Sequence, residues 1–307
     1  MKDTTKKGIL EKLDEGLVLG DGGYLLELHR EFRDAGSEVL QSLTFYASRD
    51  KLATVGMGDR VEELNRAAVR IAKQAADDRC LVAGNISLTW MYEPDDKTAA
   101  DRVRKTFDEQ LDVQVSEGVD FIIGETFSWL GEALLAVERA KRTNLPVMVT
   151  MSFENEDVTP DGKSAADCAR ALVDAGANIV GLNCLRSPEH TLPLAAEMRR
   201  AVKGYIACQP VAYRTTREHR DFTSLPAFPD QLDPFQLSRR EMAEYATRAR
   251  ELGVNYIGAC CGAVASHIRE MARALGKLPA EDRIWKKDGE KPMSAYEYYG
   301  HDKNNKV

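Results

Sequence analysis

A (β/α)8 barrel of the TIM type, followed by a short C-terminal tail, is the α/β fold class that this sequence predicts. Three observations point to it. Short β-rich apolar runs alternate with longer amphipathic stretches about eight times within about 260 residues. The runs are apolar throughout, as parallel strands covered on both faces are. The notable polar residues fall where those runs end, which in a closed barrel gathers them on one rim.

Taken in order, the first run, 17–20, is followed by Asp21, and the second, 39–45, closes on Phe45. The third, 81–86, contains Asn85, the fourth, 121–125, ends at Glu125, and the fifth, 147–152, at Ser152. The sixth, 179–183, delivers Asn183 and Cys184, the seventh, 206–210, carries Gln209, and the eighth, 256–259, delivers Cys260 and Cys261. Between them helical periodicity covers 59–76, 99–117, 130–142, 164–175, 188–202 and 239–252, several of these closing on a glycine in AGA, EGV or LGV. A doubly wound open sheet is the competitor, and no GxGxxG follows the first strand to favour it. Residues 9–276 form the barrel in this reading. Residues 213–236, rich in proline, phenylalanine and charge, make a long loop after strand seven that lies over the mouth. The tail, 277–307, holds Trp285, Tyr296, Tyr298 and Tyr299.

Charge and hydropathy exclude several classes of function. A formal net charge of −7 with no long basic stripe argues against nucleic acid. No apolar run reaches the roughly 20 residues that span a bilayer, and the start MKDTTKKG lacks the apolar core of a secretory signal, so a cytoplasmic protein without a membrane anchor is expected. Its six cysteines, at 80, 168, 184, 208, 260 and 261, have no short regular spacing and do not read as a disulfide framework. Cys80, Cys168 and Cys208 fall at a strand start, inside a helix and inside a strand, and are expected in the core. Whether the chain is a homo-oligomer is left open.

Cys260 and Cys261 are adjacent, between an apolar strand and Gly262. Neighbouring cysteines form a disulfide only under strain, so a reduced pair at a strand end reads as two metal ligands. Cys184 offers a third. A lone free cysteine is usually a small buried hydrophobe, but three thiolates on one rim with a coordination position left open suit Zn2+ in a catalytic role. His29, His190 and His267 lie in helical patterns, where surface placement is expected, and no histidine is assigned to catalysis.

The motifs DGG at 21–23, GETF at 124–127, GLNC at 181–184 and GACCG at 258–262 resemble the homocysteine S-methyltransferase family. LTFYASRDKL at 43–52, SLPAFPDQLDP at 224–234 and NYIGACCG at 255–262 are similar to its betaine–homocysteine methyltransferase branch, and the likeness runs over roughly residues 9–275. The resemblance implies that Cys184, Cys260 and Cys261 hold zinc and that the homocysteine sulfur takes the fourth place. It also implies that Glu125, with Asp21, Gly22 and Gly23, holds the amino-acid end. A carboxylate pairs with an ammonium, and glycines let backbone amides approach a carboxylate. Asn183 shapes the ligand loop and Asn85 reaches towards the substrate. The product is methionine. No general acid is needed, because the donor leaves as a neutral amine or sulfide.

The donor, by the same resemblance, is a methylated onium compound, betaine first, with Phe45 and Tyr46 at matching donor-site positions. Phe222, Phe228, Phe235, Trp90 and the tail tyrosines are further aromatic candidates, since a quaternary ammonium or sulfonium is bound by aromatic faces. Three features depart from the branch: the segment between strands one and two is short and brings no tryptophan, Thr126 follows Glu125 where the branch has tyrosine, and about 30 residues replace its long C-terminal arm. Proline betaine, S-methylmethionine and dimethylsulfoniopropionate therefore stay open as donors. So do a homocysteine-activating component of a cobalamin-dependent system and a zinc-storing or redox-sensing binding protein.

Overall fold

The computed structural model describes residues 7–23 and 26–279, with the side chains of residues 19–23 left out of the description. Eight parallel strands close into one barrel in the order of the sequence, each hydrogen-bonded to the next and the last to the first. They are β1 (Val18–Gly23), β2 (Val39–Gln41), β3 (Leu81–Ser87), β4 (Phe121–Phe127), β5 (Val147–Met151), β6 (Ile179–Asn183), β7 (Tyr205–Gln209) and β8 (Tyr256–Ile257). The helices are α1 (Ile9–Glu15), α2 (Leu26–Asp34), α3 (Arg49–Ala53), α4 (Val61–Ala76), α5 (Lys97–Ser116), α6 (Leu130–Ala140), α7 (Ala165–Asp174), α8 (Pro188–Ala201), α9 (Arg239–Glu251) and α10 (Ala265–Ala274). Their starts are written in the sequence: Ser164 with Asp167, and Ser238 with Glu241, form reciprocal caps at α7 and α9, and Asp96 accepts from the Thr98 and Ala99 amides at α5.

Period-two alternation sorts each strand into an outer and an inner set. The outer set, such as Val82, Ile122, Val149, Val180 and Ile206, packs under the helices. The inner set begins with a buried apolar layer of Val18, Val39, Leu81, Phe121, Met148, Ile179 and Tyr256, closed from below by Ile9 and Leu13 of α1. Towards the C-terminal ends the same inward positions turn polar, through Gln41, Asn85, Glu125, Thr150, Asn183 and Gln209, all buried. The barrel is thus an apolar plug beneath a polar floor, and the floor faces the mouth where the loops converge.

Gly181 lies in this wall where β6 runs close to β7. A Cβ there would stand 2.0 Å from the Ala207 carbonyl oxygen, with no flexible atom to give way. Gly181→Ala is therefore expected to lower stability by on the order of 3 kcal/mol, read as a shift of the urea midpoint at unchanged slope.

Several boundaries differ from the sequence expectation. β2 stops at Gln41 rather than Phe45, since Ser42 and Thr44 turn their hydroxyls to each other, at 3.1 Å, and Thr44 bonds the Asn85 carbonyl at 2.8 Å. β8 is only two residues long. His29 and His267 are buried rather than on the surface, and His190 is half-buried. His267 bridges, with Nδ1 accepting from the Val264 amide and Nε2 donating to the Leu237 carbonyl; burial holds its pKa below the ordinary histidine value. The tail residues Trp285, Tyr296, Tyr298 and Tyr299 lie outside the described residues. Among the described residues no helix is long and apolar enough to cross a membrane.

Candidate active site

Cys184 follows β6 in a left-handed turn, at φ 58°, and Leu185 continues it at φ 51°. Two successive left-handed residues cost about 1–2 kcal/mol each, so the turn has to be held from outside. The Cys184 amide donates to the Gln209 carbonyl, the Arg186 amide to the Cys184 carbonyl and the Val211 amide to the Arg186 carbonyl. The Arg186 side chain, 2% exposed, donates to the Phe153, Glu154 and Glu156 carbonyls and pairs with Asp157 at 2.6 Å. Neither this arginine nor its role is visible in the pattern of the sequence, where it looks like a solvated charge beside a helix start.

Cys260 and Cys261 extend the β7–β8 ladder, with the Cys260 amide on the Pro210 carbonyl and the Cys261 carbonyl accepting from Ala212. Gly262 then turns at φ +79° beneath the ring of Tyr213, where a Cβ would meet ring carbons at 2.6 Å. The three sulfurs converge within 4.8 Å of one another; Cys184 Sγ and Cys261 Sγ are 3.5 Å apart, and Cys260 Sγ and Cys261 Sγ 3.9 Å. A tetrahedral ion with metal–sulfur bonds of about 2.3 Å spaces its sulfurs about 3.8 Å apart, so the trio fits such an ion. Hydrogen bonds from Cys184 and Cys260 pull the Cys261 thiol down to about 4, while hydrogen bonds with Cys184 and Cys261, and then burial, push Cys260 up. Cys80, Cys168 and Cys208 are buried in the outer core, as expected, and burial pushes Cys168 and Cys208 to about 12.

Glu125 sits in the polar floor, 7% exposed. Oε1 accepts from Gln41 and from Asn85 Nδ2 at 2.8 Å, and Oε2 from Asn183 Nδ2 at 3.0 Å. Asn183 is fixed in turn, its Oδ1 accepting from Thr150 Oγ1 at 2.7 Å and the Thr126 amide at 2.8 Å. The amide that orients the carboxylate is therefore the residue next to a thiol ligand candidate. Burial pushes Glu125 up to about 7, against the pull of Gln41 and Asn85. Gln41 escapes the sequence reading because strand two, read to Phe45, places it in mid-strand. The backbone of Asp21, Gly22 and Gly23 ends β1, with Gly23 in register with Gln41, and their side chains lie outside the described residues.

Phe45 and Tyr46 stand on the rim after β2, edge to face at 4.7 Å, with Trp90 5.5 Å beyond Tyr46. Burial raises the Tyr46 phenol above the usual tyrosine value, with smaller contributions from Cys261 and Cys184. From the other side the 213–236 loop packs Phe222, Leu225 and Phe235 in one cluster with Cys184, Leu185 and Tyr213, as its expected place over the mouth requires.

Residues 9–275 match the sequence profile described as homocysteine S-methyltransferase. The chain belongs to the homocysteine S-methyltransferase family. Among curated relatives of this methyltransferase, betaine–homocysteine S-methyltransferase 1 of Bos taurus is 38% identical over 312 residues, 88% of this chain and 75% of that one. S-methylmethionine–homocysteine S-methyltransferase of Pongo abelii is 36% identical over 308 residues, 88% of this chain and 82% of that one. The crystal structure of the homocysteine methyltransferase MmuM from Escherichia coli in its metallated form superposes with a TM-score of 0.67 at 16% identity, over 84% of this chain and 96% of that one. This last likeness carries the barrel fold, while the sequence match carries the family.

Proposed function

We propose that this homocysteine S-methyltransferase holds Zn2+ on Cys184, Cys260 and Cys261 and makes methionine from homocysteine with the methyl group of an onium donor, betaine first. One observation carries the reading: a trio of sulfurs at metal-binding spacing opens into the same barrel mouth as a buried carboxylate. Homocysteine has the complementary ends, a thiol and an ammonium–carboxylate.

Glu125 receives the ammonium, held for it by Gln41, Asn85 and Asn183. The end of β1, at Asp21, Gly22 and Gly23, meets the substrate carboxylate with backbone amides. Zinc, when bound, stabilises the thiolate form of a thiol that is otherwise mostly protonated at neutral pH. The homocysteine sulfur then attacks the donor methyl in line. The new S–CH3 bond forms as the C–N or C–S bond of the donor breaks, and the bonding pair leaves with the neutral amine or sulfide. Positive and negative charge cancel in that transition state, and the rings of Phe45 and Tyr46 on the rim offer the onium donor aromatic faces. The barrel, 9–276, is the homocysteine-binding unit in this reading, and the cytoplasm, where thiols stay reduced, is its compartment.

Zinc-loaded protein with homocysteine, in the absence of cobalamin, is expected to form methionine from betaine. Proline betaine, S-methylmethionine and dimethylsulfoniopropionate complete the panel, and the relatives named for betaine and for S-methylmethionine support including both ammonium and sulfonium donors. Methionine formed only after a methylcorrinoid is added would contradict an onium donor. Failure of the zinc-loaded protein to bind homocysteine would point to a metal or redox protein instead.

A further inference from the structure

Lys51 stands on the short helix α3, yet it is only 6% exposed. Its ammonium donates to the Leu88 carbonyl at 2.5 Å, to Ser87 Oγ at 3.1 Å and to the Phe45 carbonyl at 3.3 Å, which uses all three of its donors. The same nitrogen lies 4.8 Å from the Phe45 ring centroid and 4.7 Å from those of Tyr46 and Trp90. Glu132 steadies the segment from behind, accepting from the Thr89 amide at 2.8 Å and its hydroxyl at 2.5 Å. An internal cation thus fastens the loop after β3 to the loop after β2 and gathers three rings around itself.

Trp90 is not placed like a packing residue. It is 66% exposed and adopts φ 61°, a backbone state that a bulky side chain keeps only when neighbours impose it. Its ring leans on Tyr46, itself 54% exposed, with centroids 5.5 Å apart. The two rings therefore make one aromatic surface on the rim after β2 and β3, with the Lys51 ammonium against part of it and the rest exposed.

We infer that Trp90, together with Tyr46, forms the wall on which the onium head of the methyl donor docks, and that Lys51 is the positioning residue that holds this wall. The inference rests on the reaction proposed above. An onium group without N–H or S–H bonds is recognised by aromatic faces, and rings already ordered by an internal cation need no ordering by the donor.

The test uses the full-length zinc-loaded protein. Trp90→Ala and Lys51→Met are each expected to raise KM for the donor on the order of 10-fold, the size of one cation–π contact, with KM for homocysteine within about two-fold of the parent. Trp90→Phe is expected to recover part of the loss. An unchanged donor KM in Trp90→Ala overturns the inference while leaving the methylation reading intact. Equal rises in both KM values in Lys51→Met would show a general structural role and overturn its assignment; if that variant does not fold, the exposed Trp90 variants decide. Should the parent accept no onium donor, the methylation reading falls, and a titration with tetramethylammonium judges the wall by itself. Saturable quenching of tryptophan fluorescence that disappears in Trp90→Phe upholds it, and its absence from the parent overturns it.

Discussion

Replacing Cys260 by alanine is expected to empty the metal site and stop turnover. The Cys260 sulfur lies 3.9 Å from that of Cys261 and within 4.8 Å of that of Cys184, so its loss leaves two protein ligands. A structural four-ligand zinc site is worth roughly 10–16 kcal/mol, so one thiolate accounts for about 3–4 kcal/mol, or on the order of 10²–10³ in affinity. Dialysis against a weak chelator followed by elemental analysis should show stoichiometric zinc in the parent and almost none in the variant, with methionine formation lost in parallel. Cys208→Ala is the control, because that thiol is buried in the outer core away from the trio. It should retain zinc and lose only the stability of a small buried side chain. Zinc retained by Cys260→Ala would remove the basis for reading the cysteines as ligands.

What could be read from the chain is what a parallel barrel makes regular. Strands covered on both faces must be apolar, and a polar residue at the end of one, such as Glu125, Asn183 or Cys184, lands on the rim whatever the loops do. The adjacent pair Cys260 and Cys261 is legible for a chemical reason, since two vicinal thiols at a strand end have little other use. The remainder depends on contacts between segments far apart in the chain. Lys51 and Arg186 carry charge, and nothing in the apolar pattern marks either as internal, yet both are buried by partners 29–37 residues away in the chain. Gln41 was hidden by the end of β2, which depends on the Ser42–Thr44 turn rather than on apolarity. His29 and His267 are buried residues of α2 and α10, and a helical pattern alone does not tell which face a histidine takes.

Glu125→Gln should raise KM for homocysteine by about 10² or more, the 2–5 kcal/mol expected when one partner of a buried, hydrogen-bonded charge pair is removed. The glutamine cannot satisfy the site as the carboxylate does: Gln41, Asn85 and Asn183 all direct side-chain amide donors at the carboxylate oxygens, and an incoming amide NH2 would face one of them. The same carboxylate sets a pH dependence whose sign follows from its shift. Burial raises Glu125 from the usual value of 4.5 to about 7, so the folded state binds the proton more tightly than the unfolded chain does. The stability this adds is fully present below pH 4.5 and is lost as pH rises through about 7, on the order of 3 kcal/mol at most. Homocysteine runs the other way, because its ammonium pairs with the ionised carboxylate and binding must release the proton. KM for homocysteine should therefore fall steeply as pH rises towards about 7 and more gently above it, where only the substrate thiol still has a proton to release. In Glu125→Gln the contribution of Glu125 to both slopes should vanish: KM becomes high and keeps only the shallower fall with pH that comes from the substrate thiol giving up its proton, and the urea midpoint no longer declines across that interval for this reason. A variant that kept the parent's KM profile would show that the ammonium is held elsewhere, and Glu125 would then be only a brace between β2, β3 and β6.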